Sequence, residues 1–392
     1  MKVDHRAERA QIFDEAWRTM RDRFYDPNFH GEDWDELRDI YEPRALAAST
    51  KQDFSYIVNL MLGQLNSSHM GLGGPTDEET QRLSTGRLGL ELKPQGNGVM
   101  VTRVVPDSPA DRESSKLSEG DVITAVNGQS IGSQNFYALI NQTVDERIQL
   151  TVRKNGIEEH VVIRPSRSTR DLLYEEWVDD RKELVEKYSN GRLGYIHIRG
   201  MNWTSFERFE RELMASGYGK DGIVIDVRYN GGGWTTDMVM AVLNVRQHSY
   251  TVPRGATDNL ERDNAKYKNH YPYGERLPLS SLTKPSIALC NENSYSNAEI
   301  FSHAYKHLDH GSLVGAPTFG AVISTGGRGL MDGFFIRVPF RAWYVKATGE
   351  NMEHGPAVPD YIIYNQPDSR AKGNDEQLKK SVDVLLGELN GQ

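Results

Sequence analysis

A serine placed where a buried strand turns into a helix can act as a nucleophile, and the segment Asn291-Glu-Asn-Ser-Tyr-Ser-Asn-Ala-Glu-Ile-Phe301 puts Ser296 at such a junction. An apolar run, Ile287, Ala288, Leu289 and Cys290, precedes it, and Ile300, Phe301, Ala304, Tyr305 and Leu308 follow at helical spacing. The first N–H groups of a helix have no internal partner and lie at its positive end, so they can stabilise an oxyanion formed beside the serine. The competing reading is an ordinary helix N-cap, a position that favours Ser and Asn.

Serine attack at neutral pH also needs a base, oxyanion donors and a group that orients the base. The turn in Asp226-Val-Arg-Tyr-Asn-Gly-Gly-Gly-Trp234 follows a second apolar run and leads into a helical pattern. Three glycines let backbone approach a substrate closely, and their N–H groups can point into a shared pocket, which would make half of an oxyanion hole. Read instead as a phosphate cradle, the turn lacks both the Lys-Ser/Thr of a P-loop and the G-x-G-x-x-G spacing, and Gly326-Gly-Arg-Gly329 fails the same tests. His303 and His307 have the i, i+4 spacing of a metal pair, with His310 just beyond. Without an H-E-x-x-H glutamate or a third ligand they read as solvated helix surface, and no metal is expected.

Composition and pattern indicate the elements that must position these residues. With 38% hydrophobic and 26% charged residues, a chain of 392 is long enough for about two to three domains. Its net charge of −9 argues against a nucleic-acid partner, which calls for a basic patch. No apolar run approaches the length of a membrane span. The charged N-terminus lacks the apolar core of a secretory signal, so a cytoplasmic protein is expected. Cys290, the single cysteine, reads as a small buried hydrophobe.

The fold class expected is a multidomain α/β protein. Residues 1–75 read as a helical domain: Ile12, Ala16, Trp17, Met20 and Phe24 share one face, and Tyr56, Ile57, Leu60, Met61 and Leu65 form a second set. Its last helix ends in Asn66-Ser-Ser-His-Met-Gly71, and Gly71, Gly73, Gly74 and Pro75 mark a boundary. Residues 82–166 carry short strand candidates at 99–105, 121–126 and 148–153. Residues 171–392 alternate strand-like segments (193–198, 223–228, 287–290 and 312–315) with helical ones (203 to about 216, 236–245 and 297–308), as an α/β domain does. The polar stretch 250–284 reads as an insertion or loop.

Through Gly89-Leu-Glu-Leu92, Val104-Val-Pro-Asp-Ser-Pro-Ala110, Leu117-Ser-Glu-Gly-Asp-Val-Ile123 and Val126-Asn-Gly-Gln129, the middle segment resembles a PDZ domain. That resemblance implies a groove where an extended peptide adds as a strand. Its terminal carboxylate would meet backbone N–H groups of Thr85-Gly-Arg-Leu-Gly89, with Arg87, Leu88 and Gly89 as the peptide-binding residues.

The order of helices ending in Ser68-His69, the PDZ-like insert, Asp226-Val-Arg-Tyr-Asn-Gly-Gly-Gly233, Ser296-Asn-Ala-Glu-Ile-Phe301 and Gly355-Pro-Ala-Val-Pro-Asp360 resembles the tricorn protease and C-terminal processing peptidase family. Gln11-Ile-Phe-Asp-Glu-Ala-Trp-Arg18 and Phe24-Tyr-Asp-Pro-Asn-Phe-His-Gly31 look like the start of tricorn's catalytic half. The resemblance implies a crotonase-like or ClpP-like core and a serine endopeptidase that needs no cofactor. Its tetrad would be Ser296 as nucleophile, His69 as base, Ser68 relaying a hydrogen bond from the imidazole, and Glu353 as the fourth member. The spacing around Glu353 departs slightly from the family pattern, so Glu350 stays open as an alternative.

Oxyanion donors, by the same resemblance, would be the N–H groups of Asn297 and Gly233, with Gly232 as the alternative. A second branch of the family uses a lysine base, and Ala321 stands where that lysine would be, which leaves His69 as the base. Tricorn has an Asp where this chain has Asn297. Tricorn also carries β-propeller domains, none of which is expected here, and assembles as a hexamer, so a homo-oligomer is expected. Substrates would be oligopeptides or unfolded protein. The reading from another class is a non-catalytic peptide- or ligand-binding protein on the same scaffold. Ser296, His69 and the Gly-rich turn together weigh against it, because a binding module has no need of all three.

Overall fold

Three helices, α1 (His5–Arg23), α2 (Trp34–Leu46) and α3 (Lys51–Gly63), open a computed structural model that describes residues 4–75, 82–132, 134–245 and 284–391, with a few positions between 252 and 262. The loop expected at 250–284 lies almost wholly outside the described residues. Each helix starts on a side-chain cap: Asp4, Asp33 and Thr50 accept from first-turn N–H groups that have no partner inside the helix. Ile12, Phe13, Ala16, Trp17 and Met20 form the buried stripe of α1, and Phe54, Val58, Met61 and Leu62 that of α3. Trp17 and Trp34 stack with centroids 6.3 Å apart, and each indole N–H donates to the other's backbone carbonyl.

This helical core also takes in Phe334, Ile336 and Val338. The glycines that read as a boundary form a strand, β1 (Gly71–Gly73), paired antiparallel with the strand Phe335–Ala342. Small residues are needed there, because a Cβ on Gly73 would lie 2.4 Å from the Phe335 ring and one on Gly74 would lie 2.3 Å from Phe334. The described chain divides into two compact units, Met1–Glu78 with Lys182–Gln392, and Glu79–Arg181.

Within the second unit, β2 (Leu90–Gln95), β3 (Gly98–Val104), β4 (Val122–Val126), β6 (Ile148–Lys154) and β7 (Ile157–Ile163) make an antiparallel sheet, with β5 (Gln129–Ser130) off β4 and a short helix α4 (Phe136–Leu139). Leu88, Ile123, Leu150, Val152 and Phe136 lie in its core. Helix α5 (Arg170–Ser189) carries the chain onward.

The first unit continues with β8 (Leu193–His197), α6 (Trp203–Gly217), β9 (Gly222–Asp226), α7 (Thr236–Leu243), β10 (Ser286–Cys290), α8 (Asn297–His307) and β11 (Leu313–Gly315). Two antiparallel strands, β12 (Ile323–Gly329) and β13 (Phe335–Ala342), then β14 (Tyr361–Ile362) and α9 (Glu376–Asn390) complete it. Strands β8, β9, β10, β11 and β14 form a parallel sheet in the order β14-β11-β10-β9-β8. Every residue of β8, β9 and β10 is buried, as a parallel sheet covered on both faces requires. A second sheet, β1-β13-β12, was not legible as strands, because Gly326, Gly327 and Gly329 give β12 the composition of a loop. Among the described residues no helix is long and apolar enough to cross a membrane.

One buried ion cluster clamps the end of β9. The Arg228 side chain, 1% exposed, donates to Asp226 at 2.7 Å through Nη2, to Asp375 at 2.9 Å through Nη1, and to Gln377 at 3.2 Å. Burial opposes the guanidinium charge, and Asp226 and Asp375 outweigh it. Asp375 is also the N-cap of α9, so the C-terminal helix is tied to the turn that follows β9. Replacing Arg228 with Met leaves two carboxylates buried without their cation, and urea unfolding should show a loss of about 3–5 kcal/mol. A loss under about 1 kcal/mol, the size of an exposed pair, would contradict this role for the cluster.

Candidate active site

Strand β10 delivers the chain into a turn that its own polar side chains build. Asn291 Oδ1 accepts from the N–H groups of Tyr229 and Asn293, both at 3.1 Å, and Ser294 Oγ donates to the Val227 carbonyl at 2.8 Å. Tyr295 N–H donates to the Asn230 carbonyl at 2.9 Å, which fastens this turn to the Gly-rich one. Ser296 then enters α8 with φ 57° and ψ −116°, a conformation that a side chain disfavours by about 1–3 kcal/mol.

Glu299, fully buried, holds the serine there. Its Oε1 accepts from the N–H of Ser296 at 2.9 Å and of Ala321 at 3.0 Å, and its Oε2 accepts from Thr318 Oγ1 at 2.7 Å and from the Gly320 N–H. Burial pushes its pKa up, against the pull of those donors. Glu299 was not singled out from the sequence, although Ser296-Asn-Ala-Glu299 has the S-x-x-E spacing of a capping box.

The Gly-rich turn packs directly on the serine. A Cβ on Gly232 would stand 2.7 Å from Ser296 Cβ and 2.9 Å from the Asn297 nitrogen, and one on Gly233, at φ 146°, would stand 1.8 Å from the Met201 carbonyl oxygen. Only glycine fits either position. The Gly232 N–H is occupied, donating to Asn230 Oδ1 at 2.9 Å. The N–H groups of Gly233 and Asn297 have no hydrogen-bond acceptor among the described residues. Asn297 itself is fixed from α7: Thr236 N–H donates to its Oδ1 at 3.0 Å and Thr236 Oγ1 to its carbonyl at 2.6 Å.

Ser68 and His69 lie between α3 and β1, and the fold brings Glu353 to them across the chain. Glu353, 4% exposed, accepts from Ser68 N–H at 2.6 Å and from Ser68 Oγ at 2.9 Å. Glu350 is exposed and bonded to Thr348. The ring centroid of Tyr295 lies 4.9 Å from that of His69. Thus the residue before Ser296 packs on the imidazole.

The His69 ring has Nδ1 3.0 Å from Arg337 Nη2, while its buried Nε2 has no partner in hydrogen-bond geometry. Burial first, and then the Arg337 charge, lower the His69 pKa below its ordinary 6.5, while the Ala321 carbonyl and Glu353 act the other way. No hydrogen bond among the described residues joins His69 to Ser68 or to Ser296. Arg337 and Tyr295 were missed in the sequence because nothing local marks them; only the β1–β13 pairing and the turn after β10 bring them to His69.

Elsewhere, Arg87, Leu88 and Gly89 border a groove with Phe136, Tyr137 and Leu173 in the second unit, beside the open edge of β2. The Arg87 N–H is already engaged by the Ser166 carbonyl at 2.8 Å, whereas no acceptor stands at the Leu88 and Gly89 N–H groups among the described residues. His303, expected on solvated surface, is 7% exposed and lies 3.1 Å from the Gly355 carbonyl through Nε2, because the chain after Glu353 passes over that face of α8. No group of three or more potential metal-binding side chains occurs among the described residues.

Comparison with known proteins agrees with this layout. Residues 192–363 match Peptidase family S41, residues 5–63 the Tricorn protease C1 domain, and residues 78–153 the PDZ domain. Tricorn protease homolog 1 of Streptomyces coelicolor is 30% identical over 99% of this chain and 36% of its own length. Tricorn protease of Thermoplasma volcanium is 27% identical over 97% of this chain and 36% of its own length. The crystal structure of the tricorn protease superposes with a TM-score of 0.84 at 26% identity, over 99% of this chain and 37% of that one. The chain therefore spans little more than a third of the length of these relatives. With all three parts matched in order along the sequence, it belongs to the tricorn protease and C-terminal processing peptidase family.

Proposed function

We propose that this chain is a serine endopeptidase that cleaves oligopeptides or unfolded protein through Ser296, His69, Ser68 and Glu353. The observation that carries the reading is the pair of hydrogen bonds from Ser68 to Glu353, at 2.6 and 2.9 Å across 285 residues of sequence, beside an imidazole that packs on Tyr295. A carboxylate and a hydroxyl assembled next to a histidine, one residue from a strained serine, have little structural reason to converge.

Ser296 Oγ attacks the peptide carbonyl carbon as His69 takes its proton. The carbonyl oxygen becomes an oxyanion facing the N–H groups of Asn297 and Gly233, whose lack of other acceptors supports this role. The occupied N–H of Gly232 speaks against the alternative donor. Collapse of the intermediate breaks the C–N bond, and the leaving amine takes the proton from His69. Water then attacks the acyl ester, giving its proton to His69, and Ser296 leaves with that proton restored. Glu353 orients Ser68, which in the working state accepts from the imidazole and fixes its tautomer. The setting proposed for this chemistry, on the family likeness alone, is a cytoplasmic homo-oligomer.

A serine-directed fluorophosphonate should label the wild-type protein and not Ser296→Ala, and peptide turnover should fall by about a thousandfold or more in that variant. Labelling of both proteins or of neither would favour a non-catalytic binder. Because burial and Arg337 favour the neutral imidazole, the acid limb of kcat/KM should lie below pH 6.5. Glu353 favours the protonated ring, so Glu353→Gln should move the limb to still lower pH while reducing kcat. A limb above pH 6.5 in the wild type would contradict His69 as the base.

A further inference from the structure

The contact between Arg337 and His69 is at odds with a base that is ready to work. Arg337 Nη2 can only donate, so at 3.0 Å it takes up the lone pair of His69 Nδ1. A neutral imidazole then carries its hydrogen on Nε2, the buried nitrogen that has no partner in hydrogen-bond geometry. With one nitrogen accepting and the other protonated, the ring has no lone pair left for a serine proton, whichever nitrogen approaches Ser296. The Ser68 hydroxyl meanwhile is turned to Glu353.

Arg337 is also a cation without an anion among the described residues. It forms no ion pair with a carboxylate among the described residues, and its hydrogen-bond partners there are His69 and Thr325 Oγ1, at 3.2 Å. It stands on the exposed side of β13, between Gly71 of β1 and Gly327 of β12, so neither neighbour in its row offers a side chain. A Cβ on Gly327 would meet nothing nearer than 4.0 Å, which leaves room beside the guanidinium. A partly exposed fork of donors with an open flank matches a carboxylate.

We infer that Arg337 is a receptor for a carboxylate of the substrate, and that taking up this carboxylate releases His69 to act as the base. This rests on the serine peptidase reading and names the substrate class for the same site. When the carboxylate binds, Arg337 turns its Nη2–H to the anion and leaves Nδ1. The imidazole loses the Nε2 proton to solvent and gains one at Nδ1, staying neutral, with Ser68 Oγ accepting from Nδ1–H. Nε2 is then open to Ser296. Arg337 is a positioning residue for His69 as well as a binding one, and the enzyme idles until an acidic peptide arrives.

The carboxylate can be the chain terminus or an acidic side chain, and a peptide series separates them. One core sequence is made with a free C-terminal acid, as its amide, and as amides with Glu placed at successive positions on either side of the cleaved bond. Wild type should favour one carboxylate-bearing form over the plain amide by about tenfold or more in kcat/KM, the size of a charge-assisted pair. In Arg337→Gln the preference should shrink to about twofold or less while turnover of the plain amide rises, and Arg337→Lys should keep part of the preference. No preference in the wild type, or one that survives in Arg337→Gln, would overturn the inference.

The second arm uses Ser296→Ala with 15N-labelled histidine, which binds without turning over. The His69 signals, assigned by their loss in His69→Gln, should show Nε2–H alone and Nδ1–H when the carboxylate-bearing peptide is added. Signals that do not move would also overturn it. If they do move while the wild type hydrolyses none of the series, the peptidase reading fails and the carboxylate site stands.

Discussion

The entry of the chain into α8 sets the geometry on which everything else at this site depends. Ser296 sits at φ 57° and ψ −116°, and Glu299 captures its N–H from a position one helical turn ahead, which offsets the strain of that conformation. The same buried carboxylate takes the N–H groups of Gly320 and Ala321 and the hydroxyl of Thr318. One acidic side chain thereby fixes the serine, the turn after β11 and the start of β12 relative to one another. A charged acceptor surrounded by donors is stable without water, whereas an unpaired one would carry the full cost of burial. Gly232 closes the arrangement from the other side, since its missing Cβ is what lets the Gly-rich turn touch Ser296.

Two further polar clusters extend this frame. Asn230 binds the Gly232 N–H and the Ile198 carbonyl, and Arg228 ties the same turn to the cap of α9 through Asp375. The N–H groups of Gly233 and Asn297 are thus held on backbone that has little freedom to move, which is what preorganised oxyanion stabilisation requires. His69 is held differently. It sits between the ring of Tyr295 and the guanidinium of Arg337, on a segment that β1 anchors to β13, so its state depends on side chains that an arriving ligand can reach.

Four strands of the parallel sheet were legible in the sequence because they are short apolar runs, and Ile223, Val224 and Ile225 or Ile287, Ala288 and Leu289 can only be buried, whereas β14 is two exposed residues with no such pattern. The strand-to-helix junction at Ser296 was legible for the same reason. The sheet β1-β13-β12 was not. Its glycines carry no hydrophobic pattern, and their role, making room for Phe334 and Phe335 and leaving Arg337 uncrowded, exists only once the strands are paired. Sequence spacing left Glu353 and Glu350 open because they lie close together on one loop, and only the fold distinguishes the buried carboxylate against Ser68 from the exposed one. Partners such as Arg228 with Asp375, 147 residues apart, have no local signature.

The most direct measurement is a crystal structure of the protein with a peptide aldehyde bound. A covalent bond from Ser296 Oγ to the aldehyde carbon is expected, with the resulting oxygen about 2.7–3.1 Å from the N–H groups of Asn297 and Gly233. An aldehyde attached to a different residue, or attached to Ser296 with its oxygen turned away from both N–H groups, would contradict Ser296 as a nucleophile served by this oxyanion site.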